Sequence, residues 1–551
     1  MSSPTSLPTP VASATPIIRE STPRQRPQAL PLLLLAFCAA AGPSILAGDP
    51  KPLLLHARHR VAPPPGQQRD VAVEEVLRWE PKQTAVIICD MWDRHWCRGA
   101  TERVAEMAPR MNALIQAARA RGVLIIHAPS DTMSFYEGWP QRLSAQQAPK
   151  VTAPAGINQW KSLDRDKEPP LPIDDSDGGC NEDPPCPQGR AWKSQIATLE
   201  IADADLISDS GEEIHRVLES RGIRNVIVLG VHTNMCVLGR PFSIRALVGQ
   251  GKNVVLMRDL TDTMYNARRR PYVSHFAGTD LVVAHIERYW CPSVTSADLL
   301  GGEPFRFQAD VRPRVLFLIG EDEYHTWETL PVFAHDDLAW RGFDVRVLLA
   351  DAQDKHAFPG LAEALPAADL LVVSTRRRAL TPPALKALRA HLGQGKPLVA
   401  IRTASHGFAV RGEERSALAQ RGLVEWPEFD AEVLGGNYRG HYGVGPVTTL
   451  AIAEGAAGHP VLTGLDPTGW LGHASLYRSG PLRPGCHPLL LGSIPGQPAE
   501  PVAWTRAYGP RAARVFYTSF GHVEDFAEPA FRRLLLNGIL WALGQPIPPA
   551  G

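Results

Sequence analysis

The sequence predicts two tandem α/β domains, each a doubly wound, mostly parallel sheet inside a three-layer α/β/α sandwich. Three observations predict this. Short, uninterrupted apolar runs rich in Val, Ile and Leu recur along the chain, as expected of parallel strands buried on both faces. Stretches of helical periodicity lie between them. The alternation also occurs twice, with a break over residues 293–312 at Gly301, Gly302 and Pro304, and Pro313 just beyond. A length of 551 residues suits two or three domains, and 44% hydrophobic against 21% charged residues excludes a mainly disordered chain. Lysine plus arginine and aspartate plus glutamate both number 57, so the composition carries no basic footprint for nucleic acid.

Residues 1–48 read as a leader. The segment 30–41, LPLLLLAFCAAA, has the length of a signal-peptide apolar core, with Arg19, Arg24 and Arg26 before it and small residues after it. A cut after Ala41 or Ala47 would export the protein to the periplasm or the outside. An uncleaved leader tethering it to a membrane is the alternative. Residues 49–83 are Pro-rich and weakly periodic, and read as a linker.

The first domain, 84–296, opens with the strand AVIICD (85–90). Thr101 to Arg121 is helical in spacing, with Val104, Met107, Met111, Leu114, Ile115 and Ala118 on one face and Gly122 at its end. VLIIHA (123–128) is the second strand, and 138–190 is a long Pro-rich insertion. A helix over 211–222, a strand over 225–231, a helix from about Cys236 and a strand over 253–259 follow.

Residues 297–311 read as a second linker. The second domain, 312–547, begins with the strand RVLFLIG (314–320), a helix near 328–341 and strands over 344–350 and 369–375. TPPALKALRAHLGQG (381–395) has Thr as N-cap, Pro in the first turn and Gly beyond the end, a complete helix signature. The strand 396–403, the strand 514–521 and the amphipathic helix 529–543 close it.

In doubly wound sheets reactive groups gather at the carboxyl ends of strands. Asp90 ends the first strand, and Cys236 begins the helix after strand 225–231. A thiol so placed gains from the helix dipole, and a carboxylate can take its proton. The competing readings are a buried inert thiol and a capping aspartate. Once Cys38 leaves with the leader, seven cysteines remain, an odd number, so one thiol stays free even in an oxidising compartment. Cys180 and Cys186 share one acidic loop and could close a small disulfide ring.

Asp90, Lys193 and the segment GVHTNMCVLGRPFSIRALVGQGKNVVLMRDLTDT resemble the isochorismatase-like cysteine hydrolases, the family of nicotinamidases and related amidases, over roughly residues 84–292. The resemblance implies an Asp–Lys–Cys triad. Asp90 is the proton acceptor, Lys193 the orienting cation and Cys236 the nucleophile. Lys150, Lys161 and Lys167 share the same loop-rich region as rivals to Lys193. It further implies a cis peptide before His232, an oxyanion hole from the backbone N–H groups of His232 and Cys236, and amide hydrolysis through an acyl-enzyme. Nicotinamidases of the family bind a metal through an Asp-x-His pair and a later His. Asp93, His95 and His127 are the candidates here, and a surface or supporting role is the competing reading for each. Trp92, Trp96, Phe135, Tyr136 and Trp139 would suit a flat ring or an apolar acyl group, or form core.

Residues 312–547 resemble the ThuA-like domain, a trehalose-utilisation family of the class I glutamine amidotransferase-like fold. The resemblance rests on RVLFLIGEDEYH, KPLVAIRTASHGF, LGGNYRGHYG and VFYTSFGHVEDFAEPAFRRLLLNGILWAL. True amidotransferases carry a cysteine at the elbow after the strand 396–403. Here the turn reads Thr403-Ala404-Ser405-His406-Gly407, which argues against glutamine hydrolysis. Ten of the 18 histidines fall in this domain. A polar pocket of Ser405, His406, His441, His473, His522 and Glu524 is therefore expected, with a purely structural role as its rival.

The expected function is an exported hydrolase of a C–N bond in a small amide, fused to a domain that binds or processes a carbohydrate. No cofactor is required by this reading, the partners are small molecules and not nucleic acid, and association into homo-oligomers is expected. The alternatives are a non-catalytic small-molecule or carbohydrate-binding protein, and a ThuA-like half that carries the main sugar chemistry.

Overall fold

The computed structural model describes residues 51–62, 70–443, 446–467 and 469–549, so the leader and its apolar segment lie outside the described residues. Among those described, no helix is long and apolar enough to cross a membrane.

The first sheet has eight strands: β1 (Leu53–Val61), β2 (Val71–Trp79), β3 (Thr84–Cys89), β4 (Leu124–Ala128), β5 (Leu206–Ile207), β6 (Asn225–Val231), β7 (Asn253–Asp262) and β8 (Ser293–Val294). Their order is β2-β1-β8-β7-β6-β3-β4-β5. The six from β8 to β5 run parallel. All six residues of β3 and all seven of β6 are buried, as unbroken apolar runs require.

Helices cover both faces. α1 (Arg98–Ala120) lays Val104, Met107, Met111, Leu114 and Ile115 on one, in the same core as Leu53 and Leu55. On the other lie α3 (Gly211–Ser220), α5 (Ile244–Gly249) and α6 (His275–Tyr289), whose Ile214, Val217, Val282 and Ile286 form a second core. α2 (Pro140–Gln146), the four-residue α4 (Cys236–Gly239) and α7 (Ala297–Leu300) complete this part. Ser210, Ser243 and Ser274 cap α3, α5 and α6 through their hydroxyls.

Both expected linkers are built into this domain. β1 and β2 pair antiparallel and extend the sheet at its edge, with Arg58 facing Ser293 of β8. The N-terminal half of β1 alternates buried and exposed residues, the pattern of an antiparallel edge strand with one wet face. Buried Leu299 and Phe307 pin the segment after 297 against the α1 side.

The second sheet has nine strands: β9 (Arg314–Gly320), β10 (Asp344–Leu349), β11 (Leu370–Thr375), β12 (Leu398–Ile401), β13 (Thr448–Ile452), β14 (Leu471–Gly472), β15 (Cys486–Ser493), β16 (Glu500–Tyr508) and β17 (Ala513–Thr518). The order is β10-β9-β11-β12-β17-β16-β15-β13-β14. It is parallel from β10 to β17 and antiparallel from β17 to β14, so only half of it matches the mostly parallel expectation. The antiparallel strands were invisible as apolar runs because they are half-wet: β13 buries only its first residue, and β15 shifts register between Pro488 and Leu490.

α8 (Thr326–Phe333) and α12 (Pro529–Leu543) lie in the core on one face. α9 (Leu361–Ala367) and α10 (Pro382–Gly393) lie in that on the other. α11 (Gly412–Gln420) is peripheral. Thr381 caps α10 by accepting the Ala384 N–H, the role its position predicted.

Candidate functional site

The carboxyl ends of β3 and β6, neighbours in the first sheet, bring Asp90 and Cys236 together. Asp90 is fully buried and holds φ 46, a left-handed conformation that turns its side chain across the strand ends. Gly230 of β6 passes so close that a Cβ there would lie 2.0 Å from the Cys89 carbonyl oxygen, so only glycine lets the strands approach.

Two hydrogen bonds reach the Asp90 carboxylate: Oδ1 accepts the Ser130 N–H at 2.8 Å and Oδ2 accepts the Arg240 Nε–H at 2.9 Å. The Cys236 thiol lies within electrostatic reach of it. Burial raises the Asp90 pKa, while Arg240, Cys236 and Ser130 hold it down. Burial, with the adjacent Asp90 charge, also pushes the Cys236 thiol far up; Arg240 and the His232 backbone N–H oppose that. Cys236 therefore rests as the thiol, beside a carboxyl whose own pKa burial raises. The Val231–His232 peptide is cis. Neither the His232 nor the Cys236 amide donates to a backbone carbonyl among the described residues.

Arg240 supplies the cation. It follows Cys236 by one turn, and its guanidinium reaches Asp90 and, at 3.3 Å, Asp131. Although burial opposes its charge, Asp90 and the nearby thiols fix it. Lys193, expected in this place, is exposed, and its backbone N–H donates to Asp93 at 2.9 Å. Lys161 donates instead to the Gly156 carbonyl, and Lys167 pairs with Asp164. The structure thus puts an arginine where the sequence suggested a lysine. The signal available was the spacing Cys236-x-x-x-Arg240, which places the two side chains on one face a single turn apart.

Aromatic rings wall the site. Trp92 stacks on Trp192 at 4.2 Å, Trp192 on His95 at 5.8 Å, and His95 meets His232 edge-on at 4.8 Å. His95 is driven down to about 4 by burial and by Arg103, so it stays neutral at physiological pH. Burial keeps His232 neutral too, and its Nε2 has no partner. Beneath them Asp262 accepts from Arg103 at 2.7 Å and from His275 at 2.9 Å.

The expected metal residues do not meet. Asp93 accepts backbone N–H groups, His95 stands in the ring stack, and buried His127 contacts Gln195 at 2.9 Å and Asp205 at 3.2 Å. Among the described residues no three His, Cys, Asp or Glu are arranged to hold a metal ion. The seven described cysteines are free thiols. Cys180 and Cys186 therefore do not form the expected ring, and with Cys97 they gather beside the start of α1.

In the second sheet the elbow after β12 falls on Arg402, with φ 43 and 2% exposure. Its guanidinium lies 4.0 Å from the Tyr324 ring and 4.5 Å from that of Tyr477, and donates to the Ser519 carbonyl at 2.6 Å and the Ser475 carbonyl at 3.4 Å. Ser405 donates to the Arg402 carbonyl at 3.1 Å and touches His406 Nδ1 at 3.3 Å. His406 packs on Tyr438 at 4.3 Å, and His441 lies 3.0 Å from the Tyr438 hydroxyl.

The rest of the expected pocket lies farther out. His522 caps the turn at 523–527, Glu524 is exposed, and His473 sits 3.4 Å from Glu524 and 3.5 Å from Glu528. Tyr324 spans the two groups, 5.8 Å from the His522 ring. Arg402, hidden in the sequence within an apparent strand, is thus the centre of a cluster expected to be made of histidines.

No curated protein matches the chain. Among solved structures it is similar to a ThuA-like protein from Bacteroides uniformis at 16% identity, over 44% of this chain and 95% of that one, with a TM-score of 0.32. It is also similar to a cysteine hydrolase from Pseudomonas syringae pv. phaseolicola at 22% identity, over 40% and 92%, with a TM-score of 0.26. An N-carbamoylsarcosine amidase from Thermoplasma acidophilum is similar at 11% identity, over 39% and 96%, with a TM-score of 0.22. Residues 314–542 match the family model ThuA, described as trehalose utilisation.

Proposed function

We propose that the first domain hydrolyses a C–N bond in a small amide with Cys236 as nucleophile. The observation that carries this reading is the convergence of Asp90, Cys236 and Arg240 at adjoining strand ends. Asp90 takes the thiol proton as sulfur attacks the substrate carbonyl carbon. The resulting oxyanion is received by the His232 and Cys236 N–H groups. The C–N bond then breaks, the amine leaves with the proton from Asp90, and a thioester remains. Asp90 next deprotonates a water that attacks the thioester, releasing the carboxylic acid and restoring the thiol. Arg240 orients Asp90 and favours its ionised form before each proton transfer, the part expected of Lys193. Trp92, Trp192 and His95 present flat apolar surface beside the sulfur, which favours a substrate with a planar or apolar acyl group.

The second domain, on this reading, binds or processes a carbohydrate-like ligand without a thiol, in keeping with its family match. A panel of small amides assayed for amine release tests the first half of the proposal. Cys236→Ala is expected to lower turnover by at least about a thousandfold with the melting curve unchanged. One equivalent of a thiol alkylator is expected to inactivate the native enzyme. Full activity in Cys236→Ala would overturn the assignment.

A further inference from the structure

We propose that the carboxyl edge of the second sheet is a binding site for an anionic sugar, a sugar-like ring carrying a carboxylate or phosphate. This rests on the reading of that domain as carbohydrate-binding, and adds the charge of its ligand.

The topology picks the place. β9 pairs with β10 on one side and β11 on the other, so chain direction across the sheet reverses between β9 and β11. Ligands of open α/β sheets bind in the crevice beyond such a switch point. Here the crevice is flanked by Tyr324 after β9, by Arg376 and Arg377 after β11, and by Arg402 after β12.

The charge is in excess there. Arg376 is matched by Asp322 at 3.2 Å and Glu323 at 2.7 Å, and Arg378 by Asp322 at 3.5 Å. Arg402 and Arg377 have no carboxylate within 4 Å among the described residues. Arg402 is nevertheless buried, and its Nε has no hydrogen-bond partner. A buried cation with no carboxylate in ion-pair contact is costly even with the more distant Asp525 charge acting on it, and a bound anion would offset that cost. Arg377 holds φ 52 and, with its side chain half-buried, spends one N–H on the Ala409 carbonyl at 3.3 Å. Neither strained arginine forms an ion pair with one of the protein's own acids among the described residues, although Asp525 acts on Arg402 and Glu414 on Arg377 from farther away.

The walls suit a ring. Tyr324, Tyr438 and Tyr477 surround Arg402 and His406 within stacking distance. Tyrosine faces pack against the C–H side of a sugar, and arginine N–H groups pair with its anion in fork geometry. Tyr324, half-buried on the loop after β9, lies over the Arg402 guanidinium at 4.0 Å.

Calorimetric titration of the full chain with D-glucuronate, glucose 6-phosphate, glucose and trehalose tests the proposal. Glucuronate or glucose 6-phosphate is expected to bind, and comparison of the two tells carboxylate from phosphate. The neutral sugars are expected to bind at least about tenfold more weakly. Arg377→Gln, at a half-exposed position, is expected to weaken the anionic sugar by about ten- to a hundredfold, and Arg402→Met by as much or more. Cys236→Ala is expected to leave this binding unchanged, which separates the site from the hydrolase reading. Equal binding of neutral and anionic sugars would overturn the charge assignment while sparing the carbohydrate reading. No binding of any of the four would overturn both. An Arg377→Gln protein that binds the anion as the native chain does would remove the arginines from the site.

Discussion

Asp90 and Arg402 are one device used twice with opposite charge. Each is the first residue beyond a buried central parallel strand, each holds a left-handed backbone, at φ 46 and φ 43, and each is almost wholly buried. Such a conformation costs on the order of 1–3 kcal/mol and persists only where the surroundings fix it. What differs is the neighbouring strand end. Beside Asp90, β6 delivers a thiol, and one turn later a guanidinium that balances the carboxylate. Beside Arg402, β11 delivers more arginine, and the nearest faces are tyrosines. The elbow therefore sets where a side chain stands, and the adjoining strand decides which groups meet it there.

Removing the charge from the first elbow gives the largest expected effect. Asp90→Asn leaves nothing to take the thiol proton, and kcat/KM is expected to fall by about a thousandfold in the amide assay. The corresponding change in the second sheet, Arg402→Met, is expected to leave amide hydrolysis untouched. Equal activity of Asp90→Asn and native enzyme would break the comparison at its root.

Arg240 comes next, and it also decides between the two cations. Arg240→Met strands a buried carboxylate and is expected to cost about 3–5 kcal/mol in urea unfolding at neutral pH. Asp90, already raised by burial, then rises further, so the acid limb of the pH–rate profile is expected to move to higher pH. Arg240→Lys should recover part of both losses. Lys193→Met, on an exposed side chain, is expected to change kcat/KM by no more than about twofold. A large loss in Lys193→Met with an unaltered Arg240→Met would return the role to lysine.

These contrasts mark what the sequence made legible. Buried parallel strands announce themselves as apolar runs, so β3, β6, β9 and β11 stand near their expected places, and so do the residues at their ends. Asp90 and Cys236 were readable for that reason. Arg240 was not, because its i, i+4 spacing from Cys236 says that the two share a face and not that this face meets Asp90. Lys193 drew attention by its distance along the chain, which says nothing about where a long loop folds back. β1 shows the same blindness from the other side: LLLHARHRV alternates as an edge strand should, yet its Pro-rich flanks read as linker. Arg402 sat inside an apparent strand, and only the backbone reveals that the strand stops before it.

The second elbow answers to stability in a way the first does not. Arg402→Met removes a buried charge and strands no partner, so its cost in urea unfolding is expected to stay within about 1–2 kcal/mol despite the lost carbonyl bonds and ring contacts. A loss as large as that of Arg240→Met would mean that Arg402 has a counter-ion after all, and that the two elbows are alike in charge balance.

An effect seen only as pH changes concerns Asp430, a buried carboxyl of the second domain. Its oxygens accept the Ala431 N–H at 2.7 Å and the Tyr438 N–H at 3.2 Å, and so help place the Tyr438 ring against His406. Burial outweighs those bonds and pushes its pKa up to about 6. A carboxyl raised on folding contributes stability that is full below its unfolded pKa of 3.8 and is lost as pH rises through about 6. Asp430→Asn keeps one acceptor and abolishes the titration. Its stability relative to the native chain is therefore expected to rise by about 2 kcal/mol on going from pH 4 to pH 8, read as the difference in urea midpoints. Asp262 of the first domain runs the other way. Arg103 and His275 overcome its burial and hold its pKa down, so its contribution is present above the unfolded pKa and lost as pH falls. A variant at Asp430 with a pH-independent difference from the native chain would show that the carboxyl stays ionised throughout, and that the second domain balances its buried acids as the first does.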